Sequence, residues 1–412
     1  MTPASERVVI VGAGQAGGRA AEALHACGYP GEIVLLGEER HEPYERPRLS
    51  KSVLLGEEPG AATCMHPRAW YAAQGITLRT RSRVEAIAPK SQAVITADGQ
   101  RLDYSKLLLC TGSRVRPLTG APDGLAGVHY LRTLEDSERL AAELQPGRRL
   151  VVIGGGFIGL EAASSALRRG LAVTVVERQA ALLDRVLPAD IAAQIASLHA
   201  AHGVRIRLGV PVARIHGNGA VKSVELADGA ELPADLVVIG VGIIPNTELA
   251  ENAGAASDDG VVVDEYCRTT LDNVYAAGDC TNHYNPILER RVRLESWQNA
   301  QNQAIAAARN VAGLAQRYAE VPWFWSDQLD ANIQMVGVAE PAMRVVWRGE
   351  RLAFGLVADR LRLAVGFNMG GEIRSARRLI EARAPLSAKR LADGAVRLKE
   401  LLTEATCSAS TP

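Results

Sequence analysis

One pattern, a short apolar strand followed by a glycine-rich turn and a helix, occurs twice in this chain of 412 residues. The first copy is RVVIVGAGQAG at residues 7–17, and the second is RLVVIGGGFIG at residues 149–159, which lies 142 positions later. The correspondence continues beyond the turn, because Gly28 and Gly170, the expected ends of the two helices, are separated by the same distance. A chain that repeats this unit is predicted to build two parallel β-sheets with helices that return the chain to the next strand.

The glycine spacing has a physical reason in a strand–helix–strand unit that binds a dinucleotide. The first glycine permits the sharp turn, the second lets the backbone approach a pyrophosphate, and the third lets the helix and the strand pack closely. The pyrophosphate then lies at the helix N-terminus, where free N–H groups and the helix dipole favour an anion. Six glycines occupy these positions: Gly12, Gly14 and Gly17 in the first copy, and Gly154, Gly156 and Gly159 in the second.

An acidic residue follows each copy at the distance that ribose binding requires. Glu38 lies 21 residues after Gly17, and Glu177 lies 18 residues after Gly159, each close to the end of a second apolar strand. One such match alone can be a turn that binds nothing, but here both copies have the strand, the helix and the acid. Two dinucleotides in one chain imply redox chemistry between them, most simply between a flavin and a nicotinamide.

Three more apolar segments run into glycine, and they predict buried strands that end near a ligand crevice. These segments are residues 107–112, which end in Thr111-Gly112, residues 236–242, which end in Gly242, and residues 274–279, which end in Gly278-Asp279. Asp279 has a second interpretation as the N-cap of a helix. The pattern alone does not decide between the two.

Charge and cysteine content disfavour several classes of protein. Lys and Arg total 46 and Asp and Glu total 46, so the basic excess of a nucleic-acid-binding protein is absent. The chain contains no apolar window of transmembrane length and no secretory pattern at its N-terminus. Its six cysteines show neither zinc-ligand nor redox-pair spacing. We therefore expect unpaired thiols, no metal site, no membrane or nucleic-acid partner, and a cytoplasmic protein.

Four further segments resemble one group of flavoproteins. They are PYERPRLSK at residues 43–51, YLRTLED at 130–136, ESWQNA at 295–300 and PWFWSDQ at 322–328. Together with the two glycine-rich turns, they resemble the NADH-dependent ferredoxin reductases of the glutathione-reductase-type flavoprotein superfamily, over roughly residues 5–400. The usual loop pattern has proline at the position of Arg48, whereas Lys51 is retained.

The resemblance implies that the first copy binds FAD. The implied set is Gly12, Gly14, Ala16 and Gly17 at the pyrophosphate, Glu38 at the adenosine ribose, Val84 at the adenine, Thr111 and Gly112 at a strand end, Arg132 and Asp279 along the FAD chain, Trp297 near the pyrimidine end of the flavin, and Lys51 near its N5 edge. Lys51 would stabilise the negative charge of the reduced flavin. The alternative for Lys51 is a solvated loop lysine.

The resemblance also implies that the second copy binds NADH. The implied set is Gly154, Gly156, Phe157, Ile158, Gly159 and Glu177, with Gly242 at a neighbouring strand end. Glu161 would lie under the nicotinamide and pair with Lys51, and these two are the implied catalytic residues.

The electron acceptor is inferred from chemistry that the chain lacks. Disulfide reductases of this superfamily carry a redox cysteine pair, and the oxidase and peroxidase relatives carry one reactive cysteine at the position of residues 49–51, where this chain has none. We therefore expect the flavin to be the last electron carrier inside the protein, which suits a one-electron acceptor. The resemblance implies that this acceptor is a 2Fe–2S ferredoxin that serves a bacterial monooxygenase or ring-hydroxylating dioxygenase. The open alternatives are a rubredoxin reductase, an NADH oxidase, and a signalling protein similar to apoptosis-inducing flavoproteins.

Charge is segregated along the chain. Residues 341–412 contain 13 Lys or Arg and 7 Asp or Glu, a net charge of +6, so residues 1–340 carry −6. This favours an acidic ferredoxin that docks near the flavin edge and the C-terminal domain, although a charged stretch can also be a solvated surface. The candidate docking residues are Arg290, Arg291, Arg293, Arg374, Arg377 and Arg378. The Trp323-Phe324-Trp325 cluster is interpreted as domain packing or as a gate at the electron exit.

The expected fold is α/β, with two Rossmann-like dinucleotide-binding domains and a smaller C-terminal α/β domain. The FAD domain is expected to be discontinuous over residues 1–115 and 247–323. The NAD domain is expected as an insertion over 116–246, and the C-terminal domain over 324–412. The oligomeric state stays open between a monomer and a weak dimer.

Glu177 leads to a prediction about nucleotide choice. A carboxylate at this position hydrogen-bonds the 2′- and 3′-hydroxyls of NADH and repels the 2′-phosphate of NADPH. Arg178, which follows directly, can accommodate a phosphate and acts in the opposite sense. We expect kcat/KM to be higher for NADH than for NADPH in steady-state assays of the purified protein, and a preference for NADPH would contradict the assignment of Glu177.

Overall fold

The structure, a computed structural model, describes residues 6–122 and 124–408. The strands in chain order are β1 (Arg7–Val11), β2 (Glu32–Leu36), β3 (Ile76–Arg79), β4 (Val84–Ala88), β5 (Ala93–Thr96), β6 (Arg101–Asp103), β7 (Lys106–Leu109), β8 (Ser113–Val115), β9 (Val128–Tyr130), β10 (Arg149–Ile153), β11 (Ala172–Glu177), β12 (Arg205–Leu208), β13 (Val212–Asn218), β14 (Ala220–Leu226), β15 (Glu231–Pro233), β16 (Leu236–Ile239), β17 (Ile243–Pro245), β18 (Val261–Val263), β19 (Val274–Ala276), β20 (Thr281–Asn285), β21 (Arg290–Val292), β22 (Trp323–Gln328), β23 (Ala331–Gly337), β24 (Arg344–Arg348), β25 (Leu352–Val357) and β26 (Arg360–Phe367). The helices are α1 (Gln15–Ala26), α2 (Ser52–Leu55), α3 (Arg68–Ala73), α4 (Leu134–Glu143), α5 (Phe157–Arg168), α6 (Ala189–Ala201), α7 (Glu248–Asn252), α8 (Trp297–Val311), α9 (Gly370–Ala382), α10 (Ala388–Ala392) and α11 (Leu398–Ser408).

The first of two compact units contains the chain up to Arg46, Ala61–Arg114 and Ile243–Glu320. Its parallel sheet has the strand order β19-β7-β1-β2-β3. Alternate residues of β1 enter two different cores: Val8 and Ile10 pack with the apolar sides of α1 and α8, while the residues between them pack on the opposite face. A strand buried on both faces is therefore a continuous apolar run, as the last four residues of β1 are.

The second unit contains Pro47–Gly60, Val115–Gly242 and the chain from Val321 onwards. Its parallel sheet has the order β12-β11-β10-β16-β9. The antiparallel sheet β22-β23-β26-β25-β24 belongs to the same unit. Ile333 and Val365 of that sheet lie in one continuous core with Leu150 and Val152 of β10, so the C-terminal region and the second parallel sheet share their apolar packing.

The repeat extends well beyond the glycine-rich turns. Strands β3-β2-β1-β7 correspond one to one with β12-β11-β10-β16, and each copy places a three-stranded sheet, β4-β5-β6 or β13-β14-β15, before its fourth strand. The fifth strands differ in their place in the sequence. Strand β19 comes after the other four strands of its sheet, whereas β9 comes before the other four strands of its sheet. This difference follows from nesting, because the second copy is inserted before the first copy is complete.

These observations confirm the predicted α/β class with two Rossmann-like parallel sheets and a C-terminal α/β region. The three apolar segments that run into glycine form the buried strands β7, β16 and β19. Within the described residues, no helix is both long and apolar enough to cross a membrane. The three-domain division with limits 1–115 plus 247–323, 116–246 and 324–412 stays a prediction.

Gly337, the last residue of β23, and Gly349, which follows β24, allow a matched test of packing in the C-terminal sheet. Gly337 and Gly349 both have left-handed φ angles, of 82° and 57°, but a Cβ at Gly337 would lie 1.9 Å from the Arg362 carbonyl oxygen, whereas a Cβ at Gly349 would have no neighbour within 4 Å. We expect Gly337→Ala to lower the free energy of unfolding by at least about 2 kcal/mol, and Gly349→Ala by about 1 kcal/mol from its backbone angle alone. Urea unfolding followed by tryptophan fluorescence measures both, because three of the five tryptophans lie in this sheet. Equal losses in the two variants would contradict the packing argument.

Candidate functional site

The two glycine-rich turns have the same construction. Gly12 and Gly154 have φ angles of 105° and 108°, and a Cβ would lie 2.1 Å from the Cys110 carbonyl oxygen or 2.4 Å from that of Gly240. The third glycine of each copy lies close to the first. A Cβ at Gly17 would lie 1.8 Å from the Gly12 carbonyl oxygen, and a Cβ at Gly159 would lie 2.4 Å from that of Gly154. The fold itself therefore requires glycine at the first and third positions.

The middle glycines are different, because the fold does not require them. Gly14 and Gly156 precede α1 and α5 with φ angles of −90° and −81°, which alanine adopts without strain. A Cβ at either position would have no protein neighbour within 4 Å, and no side chain caps either helix. Each turn thus leaves open space and helix N–H groups that fit the pyrophosphate of a dinucleotide.

The two ribose-binding candidates are held differently. The Glu177 carboxylate accepts hydrogen bonds from the backbone N–H of Gly155 at 2.7 Å and of Gln179 at 2.8 Å. Glu177 is therefore fixed against the second turn. The Glu38 side chain is 68% exposed, and one carboxylate oxygen lies 3.5 Å from the Arg83 guanidinium.

The ends of β7 and β19 meet beside the first turn. Ser113 Oγ donates to Asp279 Oδ2 at 3.0 Å, and Gly278, with a φ angle of 88°, packs against Ala16 of α1. Thr111 donates through its hydroxyl to the Asn246 carbonyl oxygen at 2.7 Å. The chain continues from Asp279 into β20, so the N-cap interpretation of this residue is wrong.

The other predicted FAD contacts are distributed over both units. Val84 is buried at the start of β4, and Trp297 is half-buried as the first residue of α8. Arg132 and Lys51 belong to the second unit, where the Arg132 backbone N–H donates to Asp136 at the start of α4.

The second turn is flanked by apolar side chains. The Phe157 ring packs against Phe324 with ring centroids 4.4 Å apart, and Ile158 is a large apolar residue left 46% exposed. Gly242 ends the neighbouring strand with a φ angle of 109°, close to the Arg185 guanidinium. Sequence reasoning did not identify Arg185, which has no motif around it.

An ion pair with a buried carboxylate lies in the second unit. Glu161 of α5 is 2% exposed, and its Oε1 lies 2.8 Å from Lys51 Nζ, so the expected pairing of these residues is confirmed. The hydroxyl of Ser326 donates to the same carboxylate at 2.6 Å, and Ser50 donates to its other oxygen. Three donors thus compensate a charge that burial would otherwise destabilise. The two serines were not predicted, because a single hydroxyl in a loop or strand has no sequence signature.

The loop that carries Lys51 is bound to the second unit by buried hydrogen bonds. Ser137 Oγ of α4 donates to the Leu49 carbonyl oxygen at 2.6 Å, and Ser165 Oγ of α5 donates to that of Ser50 at 2.7 Å. The loop follows the first glycine-rich copy in sequence, yet it packs with the helix of the second copy.

The cysteines whose side chains the structure describes form no disulfide. Cys27, Cys64, Cys110, Cys267 and Cys280 are all unpaired. Burial raises the pKa of the Cys110 and Cys280 thiols, which keeps them protonated and weakly nucleophilic. Within the described residues, no group of three His, Cys, Asp or Glu side chains is arranged to hold a metal ion.

Two dinucleotide cradles and a Lys–Glu pair with a buried carboxylate define an oxidoreductase that uses two dinucleotides. The chain belongs to the pyridine nucleotide-disulphide oxidoreductase family, whose sequence model matches residues 6–304, and residues 323–402 match the reductase C-terminal domain. The predicted membership of this flavoprotein group is therefore confirmed.

Comparison with known proteins extends the similarity to nearly the whole chain. The ferredoxin–NAD(+) reductase component of the anthranilate 1,2-dioxygenase system of Burkholderia cepacia is 44% identical over 400 residues, which span 96% of this chain and 98% of that protein. Putidaredoxin reductase of Pseudomonas putida is 38% identical over 418 residues and 99% of each chain. Among solved structures, the covalent putidaredoxin reductase–putidaredoxin complex matches with a TM-score of 0.95 and 38% identity, over 98% of this chain and 99% of that chain.

The open space at the middle glycines gives a direct test of the cradles. We expect Gly156→Ala to lower the free energy of unfolding by no more than about 1 kcal/mol, since alanine is a poorer N-cap than glycine but its methyl group contacts nothing in the protein. The same variant should weaken NAD+ binding at least about tenfold, because its methyl group occupies the space that the pyrophosphate needs. Calorimetric titration with NAD+ measures this effect. Gly14→Ala, the matched variant in the other cradle, should leave the affinity for NAD+ unchanged, and equal effects of the two variants would contradict the assignment.

Proposed function

We propose that this chain is an FAD-dependent NADH:ferredoxin reductase. It takes hydride from NADH and passes single electrons to a 2Fe–2S ferredoxin that feeds a bacterial monooxygenase or ring-hydroxylating dioxygenase. The observation that carries this proposal is the pair of equivalent cradles in one chain, each with space for a pyrophosphate at a glycine that the fold does not require. The ferredoxin as acceptor rests on whole-chain similarity to reductase components of such systems.

In this proposal, the first cradle holds FAD and the second holds NADH. The FAD set is Gly12, Gly14, Ala16, Gly17, Glu38, Val84, Thr111, Gly112, Arg132, Asp279 and Trp297, and the NADH set is Gly154, Gly156, Phe157, Ile158, Gly159, Glu177 and Gly242. The domain limits are those expected from the sequence, with residues 116–246 inserted between the parts of the FAD domain. A cytoplasmic location belongs to the proposal, because NADH is an intracellular reductant.

When bound, FAD accepts two electrons as a hydride and releases them singly, which suits a one-electron iron–sulfur acceptor. The chain supplies orientation and charge. Glu161 fixes the Lys51 ammonium at 2.8 Å, and the Lys51 Nζ donates a second hydrogen bond to the Pro47 carbonyl oxygen at 3.2 Å. An ammonium held in this way provides positive charge without reorganisation during the reaction, which is the condition for electrostatic catalysis.

The proposed docking surface for ferredoxin centres on α9. Arg374 and Arg378 are exposed on this helix one turn apart, and Arg377 is paired with Glu381. In the first unit, Arg293 is only 15% exposed and is paired with Asp259 and Glu295, so we omit it from the docking set. An acidic ferredoxin complements the two exposed arginines.

The proposal is tested by NADH-dependent reduction of cytochrome c by the purified flavoprotein, with and without candidate ferredoxins. We expect strong dependence on a ferredoxin and a rate that falls as salt rises, because salt screens attraction between exposed charges. The double variant Arg374→Glu/Arg378→Glu should lower the rate about tenfold at low salt, while Arg205→Glu, an exposed arginine on β12, serves as the control.

Other outcomes would favour different functions. Peroxide production without any ferredoxin effect would indicate an NADH oxidase, and dependence on rubredoxin would indicate a rubredoxin reductase. Negligible turnover with a long-lived complex of the flavoprotein and NADH would indicate a signalling role. Turnover that is independent of salt would contradict electrostatic docking.

A further inference from the structure

The first strand of the C-terminal sheet lies along α5 in a fixed register. Phe324 packs on Phe157, Ser326 Oγ donates to Glu161 Oε1, and the Leu329 backbone N–H donates to Ser164 Oγ at 2.6 Å. The three positions on α5 are separated by four and three residues, so they lie on one face of the helix. Between Phe157 and Ser164, the charged group on this face is the Glu161 carboxylate, which holds Lys51.

The hydrogen bonds continue from Ser326 into the interior of the second unit. Gln328 Nε2 donates to Ser326 Oγ at 2.9 Å, and His199 Nε2 lies 2.9 Å from Gln328 Oε1. All three side chains are fully buried. The chain of contacts therefore connects α6 to the Lys51–Glu161 pair through the C-terminal strand β22.

The negative charge of Glu161 determines which group donates in each hydrogen bond between this carboxylate and His199. An ionised carboxylate only accepts hydrogen bonds, so Ser326 must donate its single proton to it. Ser326 must then accept from the Gln328 amide, which turns Gln328 Oε1 towards His199 and requires a proton on His199 Nε2. Burial lowers the pKa of His199 below its ordinary value, so the ring is neutral at pH 7 and carries one proton, on that nitrogen.

The carboxylate is thereby held from two sides. Ser50 donates to one oxygen from the loop, and Ser326 donates to the other oxygen from β22. Lys51 Nζ contacts the same oxygen that Ser326 contacts. Loss of the Ser326 hydroxyl would remove one of the two donors to the oxygen that Lys51 Nζ contacts.

We propose that Ser326 and Gln328 are positioning residues, which hold the Glu161 carboxylate and through it the Lys51 ammonium. The C-terminal strand β22 is then part of the hydride-transfer site as well as part of the C-terminal sheet. The role of these residues in hydride transfer rests on the proposed function, whereas their effect on the position of Lys51 does not.

The small number of lysines permits a measurement that does not depend on turnover. The chain has six lysines, and exposed Lys90 provides an internal reference for Lys51. Limited acetylation of the purified flavoprotein, followed by mass spectrometry of one digest, gives the ratio of Lys51 to Lys90 modification. Ser326→Ala and Gln328→Leu should raise this ratio about fivefold, because the half-buried Lys51 amine becomes less firmly paired. Ser326→Thr, which keeps the hydroxyl, should restore it.

The same variants are then compared in stopped-flow reduction by NADH. Ser326→Ala should lower the limiting rate about fivefold, with a smaller effect on the apparent dissociation constant of NADH. In a Lys51→Met background, which should itself slow reduction, Ser326→Ala should have almost no further effect, because both changes act through one group. Ser375→Ala is the control, since its hydroxyl bonds only to its own helix, at the Gly371 carbonyl oxygen.

The outcomes separate this inference from the proposed function. An acetylation ratio in Ser326→Ala and Gln328→Leu equal to that in Ser375→Ala would overturn the inference, and so would a full additional loss of rate in the Lys51→Met background. The two inferences can also fail separately. If the wild-type protein reduces no ferredoxin, but the acetylation ratio rises in Ser326→Ala and Gln328→Leu, the proposed function is wrong and the positioning of Lys51 is supported.

Discussion

The buried carboxylate of Glu161 is the group on which the arrangement of the second unit depends. A charge that is 2% exposed is stable only when donors replace the water it has lost. Here the donors come from two distant segments, the loop with Ser50 and Lys51 and the strand with Ser326. One group therefore joins three stretches of chain, and the cost of leaving it unpaired keeps them together.

This requirement explains the membership of the second unit. The loop at residues 47–60 is flanked in sequence by the first unit, yet it packs with the second, where Ser137 and Ser165 bind its backbone. The C-terminal sheet is drawn to the same helix, with which it shares an apolar core. A lysine that is expected at the flavin thus belongs to the unit that we propose binds NADH.

The glycine-rich turns show which features local sequence predicts well. Gly12 and Gly154 are dictated by a left-handed φ angle and a close carbonyl oxygen, which are local properties that a short motif records. The strands β1 and β10 were equally predictable, since a strand that is buried on both faces has a nearly continuous run of apolar residues. Asp279 was ambiguous because the same acid can cap a helix or accept from a distant serine, and only the strand that follows it decides.

The sequence by itself determined the two strand–turn–helix units, their spacing of 142 residues and the glycines of the two turns. It could do so because backbone sterics and strand periodicity act over a few neighbouring residues. The tertiary structure alone decided that Ser326, Gln328 and His199 complete the Glu161 network. Those partners lie 38 to 167 positions away from Glu161, and a hydrogen bond between buried groups depends on where the whole chain brings them, which no local pattern records.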